Sequence, residues 1–362
     1  MTNQPCAVFR RTSSDHKFGV SSLSFYPFDS LAFLSSSYDH TLKLYSSETL
    51  AVHGSFDLGS IVYSHSVSTI AQHLLVACAS QQPAVRLVDL RSGASTHSLL
   101  GHKGSVLAVS WSPVAENILA SGATDGTVRL WDIRRSSSSL GCLDMEDHVG
   151  ICGHDGLGTG ARHRHSGRAH VAAVNGLSWT ETGDHLVTTG HDERIRVWDM
   201  FSGANTLANF GPIVRNIHLS TVYPLLAPAK LLGMKKQVLF FQNESEILMY
   251  NLLDGELLRR IRGPPAYLGI RGNSGSLNQR NVQQRVTSLA WRAHSVELYS
   301  AYVDGSIHCW SAARLSNLSG DFDVEEESDG PSDSEEAETK KRKRQILDDI
   351  YQGLTKQRVT FT

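Results

Sequence analysis

Several features that mark other classes of protein are absent from this sequence. No run of about 18 uninterrupted apolar residues occurs, and residues 1–12 contain no apolar segment typical of a signal peptide. The five cysteines are scattered without paired spacing, which is typical of reduced thiols rather than of a disulfide framework. We therefore expect neither membrane insertion nor secretion.

A strong excess of one charge is also absent from most of the chain. Residues 1–320 carry 24 acidic and 27 basic side chains, so this part is nearly neutral. Tight binding to nucleic acid usually requires a strongly basic face. We therefore predict no direct sequence-specific binding of nucleic acid. A hydrophobic fraction of 40% is nevertheless sufficient for a folded core.

One pattern recurs along the chain. It begins with a His or Gly-His, continues with two short apolar segments, turns at an Asp and closes with an alternating segment that ends in Trp-Asp. The clearest copy comprises Gly101, His102, residues 106–113 and 118–122, Asp125, Gly126 and residues 128–132. Alternation with period two and an Asp-Gly turn predict short antiparallel strands joined in hairpins. Each copy is therefore predicted to form a small antiparallel sheet.

Six copies can be recognised by their closing residues. These residues are Tyr45, Val88, Trp131, Trp198, Tyr250 and Trp310, at intervals of 43, 43, 67, 52 and 60 residues. A period of about 40 to 45 residues is typical of WD repeats, whose blades stack radially in a β-propeller. We predict an all-β WD-repeat β-propeller with six blades over residues 16–316, after an irregular segment at 1–15. Loop insertions near 136–167 and 263–284 would explain the longer intervals.

Polar side chains recur at fixed places in the clearest copies. They resemble the hydrogen-bonded network of WD repeats, and they are His102, Ser121, Asp125 and Trp131 in one copy and His170, Thr188, Asp192 and Trp198 in the next. Buried polar groups need partners, so such a network would fix the register of a blade. A Ser-His-Asp set can also indicate a hydrolase triad, but this set recurs and no Gly-x-Ser-x-Gly motif accompanies it. We predict no catalytic centre and no enzyme activity.

Cysteine and histidine side chains cluster between residues 152 and 170, and zinc prefers such ligands. No Cys-x2-Cys pair occurs there, and His170 already belongs to the predicted network. A zinc site and a solvated His-rich loop are both open interpretations, of which we favour the loop. No phosphate-binding glycine loop is present either. We predict neither a metal nor a cofactor.

The repeat pattern ends before residues 317–362. Residues 321–338 hold ten acidic and no basic side chains, a composition that predicts disorder. The basic run that follows comprises Lys340, Lys341, Arg342, Lys343 and Arg344. It resembles a nuclear localisation signal, although a run that merely balances the acidic block is the alternative. We expect a nuclear protein with a disordered tail.

Residues 99–135 resemble the Cockayne syndrome A family of WD-repeat proteins, as do residues 61–66, 85–93 and 174–198, so the resemblance spans about 16–315. It implies a substrate receptor of a cullin-4 type ubiquitin ligase in transcription-coupled nucleotide excision repair. The implied partners are the damaged-DNA-binding adaptor of the ligase, a Cockayne syndrome B-type repair factor and stalled RNA polymerase II. A nuclear scaffold in ribosome biogenesis or chromatin complexes is the alternative.

The adaptor of that family recognises a Trp-Asp-x-Arg box. The corresponding residues are Trp131, Asp132, Ile133 and Arg134, with a degenerate copy at Val88, Asp89, Leu90 and Arg91. An arginine just beyond a blade strand can donate bidentate hydrogen bonds to a partner, although a solvated loop arginine is the alternative. The family also has seven blades and an N-terminal helical segment. We therefore expect either that a first blade is missing from this sequence or that six blades close the propeller.

Overall fold

The computed structural model describes residues 15–93, 95–135, 139–146, 167–218, 220–228, 237–262, 285–292 and 297–311. The regular structure in these ranges consists of β-strands, without a helix. Accordingly, none of these residues belongs to an apolar helix long enough to cross a membrane. The predictions for residues 1–14, for the insertion at 263–284 and for the tail with its basic run concern residues outside these ranges.

The strands form six antiparallel sheets, in each of which consecutive strands are hydrogen-bonded neighbours. We number them blades 1 to 6 in chain order. Blade 1 comprises β1 (Val20–Phe25), β2 (Ala32–Ser37), β3 (Thr41–Ser46) and β4 (Val52–Asp57). Blade 2 comprises β5 (Val62–Val67), β6 (Leu75–Ser80), β7 (Ala84–Asp89) and β8 (Ser95–Leu100). Blade 3 comprises β9 (Val106–Trp111), β10 (Ile118–Ala123), β11 (Val128–Asp132) and β12 (Ser139–Cys142).

The remaining blades have the same meander. Blade 4 comprises β13 (Val174–Trp179), β14 (His185–Gly190) and β15 (Arg194–Asp199). Blade 5 comprises β16 (Leu225–Leu226), β17 (Val238–Asn243), β18 (Glu246–Asn251) and β19 (Leu257–Arg262). Blade 6 comprises β20 (Val286–Arg292), β21 (Glu297–Tyr302) and β22 (Ile307–Ser311). Over the described residues, the predicted all-β fold with six blades is confirmed.

The blades are distributed over two compact units. Blades 1 to 4 belong to the first unit and blades 5 and 6 to the second. In the first unit one apolar cluster joins blades 1 and 2, with Leu34 and Val76 among its buried members. A second cluster between blades 2 and 3 contains Trp131, and a third between blades 3 and 4 contains Trp198. Each core therefore lies between two blades, because one sheet cannot cover its own faces.

The prediction of a loop insertion at 136–167 is wrong at its start, where the chain forms a strand. Residues 139–142 form β12, which pairs with β11 through Arg129 opposite Cys142 and Leu130 opposite Gly141. The side chains of Cys142 and Leu143 are buried in the blade, and Leu143 belongs to the cluster between blades 3 and 4. This burial explains why a segment without strand periodicity is nevertheless part of the sheet. Residues 147–166 lie outside the described ranges.

The first strands of the blades in the first unit run side by side in the same direction. Trp111 and Trp179, near the ends of β9 and β13, each donate an indole hydrogen bond to the preceding blade, at 3.1 Å to Ser66 O and 3.2 Å to Ser110 O. In an antiparallel meander, the loops after the first and third strands lie at the same end of the sheet. These loops of all four blades therefore share one face, which we call the box face.

A buried histidine links blades 1 and 2. His65 Nε2 lies 2.7 Å from Ser24 Oγ, and its Nδ1 lies 3.0 Å from Ser36 Oγ. Burial lowers the pKa of His65 from its ordinary value of 6.5 to about 4. The imidazole is therefore neutral at pH 7, and its hydrogen bonds to two hydroxyl groups satisfy both ring nitrogens.

We predict that the stability of the protein falls as the pH is lowered from 6.5 towards 4. The unfolded chain binds a proton at His65 in this window and the folded chain does not, which costs about 3 kcal/mol at the acid end. Chemical denaturation at several pH values measures this slope. In a His65→Gln variant the slope of the unfolding free energy against pH should be shallower by the contribution of one histidine. The control is His53→Gln, at an exposed position of β4, which should retain the slope of the unsubstituted protein. Equal slopes in both variants would contradict the assignment.

Candidate protein-interaction site

The polar network predicted for blade 3 forms a continuous chain of hydrogen bonds. The Trp131 indole donates to Ser121 Oγ at 2.7 Å, and Ser121 Oγ lies 2.6 Å from His102 Nε2. His102 Nδ1 lies 2.8 Å from Thr127 Oγ1, whose hydroxyl donates to Asp125 Oδ1 at 2.6 Å. The structure therefore brings the four predicted residues together, but Thr127 stands between histidine and aspartate. This threonine was not predicted from the sequence.

Blade 4 has the same chain with a direct contact between histidine and aspartate. The Trp198 indole donates to Thr188 Oγ1 at 3.0 Å, and Thr188 Oγ1 lies 2.7 Å from His170 Nε2. His170 Nδ1 lies 2.8 Å from Asp192 Oδ1. Arg196 donates to the other carboxylate oxygen of Asp192 at 2.8 Å. Thr127 follows the aspartate of blade 3 by two residues, and Arg194 stands at this position in blade 4. Blade 4 therefore has no hydroxyl between histidine and aspartate.

The electrostatics of both networks favour neutral histidine and ionised aspartate. Burial lowers the pKa of His102 and of His170, against the opposing effect of the aspartates. For Asp125 burial raises the pKa, but the His102 imidazole 3.7 Å away and the hydrogen bond from the Thr127 hydroxyl hold it well below the usual range. The Ser121 hydroxyl is completely buried. A substrate cannot reach this serine, so the arrangement stabilises the blade and does not resemble a working hydrolase triad.

Blade 2 replaces the polar chain with apolar contacts, and blade 5 replaces the serine of the chain with an aromatic ring. Cys78 and Val88 stand in blade 2 where blade 3 has Ser121 and Trp131, and both side chains are buried in the apolar cluster with blade 1. In blade 5, Phe241 occupies the serine position and is fully buried. Replacing all partners of a network with apolar groups removes the need for hydrogen bonds. This explains why these two copies are the weaker ones in the sequence.

We predict that Ser121→Ala lowers the free energy of unfolding by about 2 to 4 kcal/mol. The substitution leaves the Trp131 indole and His102 Nε2 buried without a partner. Chemical denaturation followed by tryptophan fluorescence measures the change. Ser47→Ala is the matched control, because this exposed hydroxyl bonds only a loop carbonyl, and the effect should stay within about 0.5 kcal/mol. Equal stability of the two variants would show that the network contributes little.

A second recurring feature is the turn that follows the third strand of a blade, on the box face. Asp89, Asp132 and Asp199 each accept a hydrogen bond at 3.0 Å from the backbone N–H two residues later, which belongs to Arg91, Arg134 and Phe201 respectively. The intervening backbone N–H donates to a carbonyl at the end of the first loop of the same blade, at 3.0, 3.0 and 2.8 Å. We call these three segments the box turns. Their backbones are held in the same way, so the residue at the Arg134 position is equivalent in all three.

Arg134 is ordered by the aspartate of its own box. Its Nε donates to Asp132 Oδ1 at 3.0 Å and its NH2 group to Oδ2 at 2.8 Å, while 68% of the side chain stays exposed. The hydrogen bonds from Arg134 lower the pKa of Asp132. A guanidinium has more N–H donors than this carboxylate accepts, so Arg134 can bind a partner while Asp132 holds it. The sequence predicted an arginine that projects from the blade but not this internal ion pair.

The degenerate box in blade 2 is arranged differently. The Asp89 carboxylate accepts hydrogen bonds from the Arg91 amide at 3.0 Å and from the Ser92 hydroxyl at 2.9 Å. The hydrogen bond from the Arg91 amide is the main cause that lowers the pKa of Asp89. Burial acts in the opposite direction, and the Ser92 hydroxyl lowers the pKa further. The side chain of Arg91 is exposed on the same face as Arg134. The turn positions this arginine through the backbone.

The equivalent residue of blade 4 was not predicted from the sequence. Phe201 occupies the Arg134 position, and 96% of it is exposed. Comparison of Trp198-Asp199-Met200-Phe201 with the box in blade 3 would have identified it, but a search for arginine does not. Among the described residues no three His, Cys, Asp or Glu side chains are placed to hold a metal ion. Most of the Cys and His cluster lies in residues 147–166, outside these ranges.

Comparisons with known proteins agree with the repeats. The family model described as WD domain, G-beta repeat, matches residues 7–46, 93–132 and 162–199. The chain is 31% identical to WD repeat-containing protein ATCSA-1 of Arabidopsis thaliana, over 56% of this chain and 57% of that protein. It is 23% identical to radiation-sensitive protein 28 of Saccharomyces cerevisiae, over 69% and 52%. It is 29% identical to ribosome biogenesis protein ytm1 of Pyrenophora tritici-repentis, over 51% and 40%. The chain thus spans about half the length of the curated relatives it matches.

Proposed function

We propose that this chain, a WD-repeat protein homologous to other WD-repeat proteins, is a non-enzymatic substrate-recognition subunit of a cullin-4 type ubiquitin ligase. In this role it acts in transcription-coupled nucleotide excision repair. The observation that carries the proposal is the box of blade 3, in which Asp132 holds an exposed Arg134 at the end of the blade. A box of this kind is what the adaptor of such ligases recognises.

The geometry of the box suits recognition by a protein partner. The bidentate pair with Asp132 limits the conformations of Arg134, so less side-chain entropy is lost when a partner binds. Arg91 presents a second cation on the same face in the neighbouring blade. Carboxylate and carbonyl groups of the damaged-DNA-binding adaptor would accept their hydrogen bonds.

The comparisons support a role in the response to DNA damage. One relative is named ATCSA-1, and another is named for radiation sensitivity. The inter-blade segments that resemble the Cockayne syndrome A family point in the same direction. A Cockayne syndrome B-type repair factor and stalled RNA polymerase II are the proposed clients, and the basic run at 340–344 is the proposed nuclear localisation signal. Ubiquitin transfer is then the chemistry of the ligase partners.

We predict that Arg134→Ala weakens binding of the purified damaged-DNA-binding adaptor by about tenfold or more, because arginine anchors dominate such interfaces. A binding titration with the full chain measures the change. Arg194→Ala is the matched control, because Arg194 is an exposed arginine at the opposite end of blade 4. Both variants should retain the unfolding midpoint of the unsubstituted protein. Unchanged affinity of the Arg134 variant would count strongly against the proposal.

A scaffold in ribosome biogenesis is the second candidate function, and the similarity to the ytm1 protein favours it. Affinity purification of the full chain from cells before and after ultraviolet irradiation separates the two. Recovery of ubiquitin-ligase subunits and repair proteins supports the first function. Recovery of ribosome precursors without ligase subunits supports the second.

A further inference from the structure

The three box turns present their equivalent residues in a fixed order on the box face. Consecutive blades place Arg91, Arg134 and Phe201 at the same position of the same hydrogen-bonded turn. Blade 1 has Glu48 there, in a turn held by the Ser47 N–H, which donates to Leu31 O at 2.8 Å. Among blades 1 to 4, cationic side chains at this position are thus confined to blades 2 and 3, and an aromatic ring follows in blade 4.

Phe201 does not stand alone on this face. The backbone N–H of Met200 donates at 2.8 Å to the carbonyl of Asp184, in the first loop of blade 4. The neighbouring Gly183 packs so closely against Val114 of blade 3 that a Cβ on this glycine would clash with a valine methyl group. Val114 is itself 59% exposed. The turn of Phe201 and the loop of Val114 are therefore adjacent parts of one surface.

The loop of blade 3 that contains Val114 also contacts the box turn of the same blade. The Ile133 N–H donates to the carbonyl of Asn117, at the end of the loop that contains Val114. A partner that reaches Arg134 thus meets the loop that contains Val114, and this loop contacts Gly183 in the blade that carries Phe201. A large exposed aromatic ring in the blade beside that of an exposed arginine is the composition of an interface anchor, since aromatic and arginine side chains carry most binding energy.

We infer that Phe201, together with Val114, anchors the adaptor protein in an apolar pocket beside the carboxylate or carbonyl groups that bind Arg134 and Arg91. The inference rests on the proposed function. The order of the side chains sets the orientation of the partner: its acceptor groups face blades 2 and 3, and its apolar pocket faces blade 4. An arginine in blade 4 would not satisfy such a pocket, so the aromatic residue is a specificity determinant of this chain.

The test is a binding titration of the full-length chain with the purified damaged-DNA-binding adaptor. Phe201→Ser should weaken binding by about tenfold or more, because the anchor is removed. Phe201→Arg, which recreates the Asp-x-Arg sequence, should weaken it to a similar extent. Phe18→Ser is the matched control, because Phe18 is 68% exposed and precedes β1 at the opposite end of blade 1. All three variants should retain the unfolding midpoint, since the substituted rings are exposed.

The outcomes separate the inference from the proposed function. If Arg134→Ala weakens binding and Phe201→Ser does not, the proposed function stands and the inference is overturned. If the Phe201→Arg variant binds as well as or better than the unsubstituted chain, the partner accommodates a charged side chain opposite residue 201. The apolar pocket is then refuted. If the unsubstituted chain does not bind the adaptor, both fail. Equal weakening by Phe18→Ser would place the effect outside the box face and also overturn the inference.

Discussion

A propeller blade has two apolar faces, and only the neighbouring blade can cover them. In the first unit this contact buries Leu34 against blade 2, Trp131 at the boundary of blades 2 and 3, and Trp198 at that of blades 3 and 4. The contact aligns the first strands of successive blades in parallel. The box face is a consequence of that alignment, because loops with equivalent places in the repeat must then lie at the same end.

The two recurring aspartates of a repeat have different structural roles and lie at opposite ends of the blade. Asp125 and Asp192 terminate buried networks, where ionised carboxylates accept hydrogen bonds and fix the register of the hairpin. Asp132 and its equivalents organise an exposed turn through backbone amides. Stability depends on the first group, and the displayed side chains depend on the second. The chain can therefore change its interaction surface without changing the contacts that hold the blades together.

The strands and the buried networks could be predicted because period-two alternation and repeated polar positions report local structure directly. Thr127 was missed, since a hydroxyl between histidine and aspartate is visible only from its geometry. The pairing of Arg134 with Asp132 was missed for a similar reason: the sequence places both residues in one turn but does not specify which acceptor the guanidinium takes. β12 was assigned to a loop because burial of Cys142 and Leu143 leaves no alternation to detect.

A search for arginine does not find Phe201, although Phe201 occupies the position equivalent to Arg134. What the three box turns share is a backbone hydrogen bond to an aspartate, and this bond places no requirement on the side chain that follows. Arg91, Arg134 and Phe201 can therefore differ while their Cα positions stay equivalent. A surface built in this way encodes the order of its charged and apolar contacts in the order of its blades. Specificity for a partner can then be gained or lost one repeat at a time, at little cost to the fold.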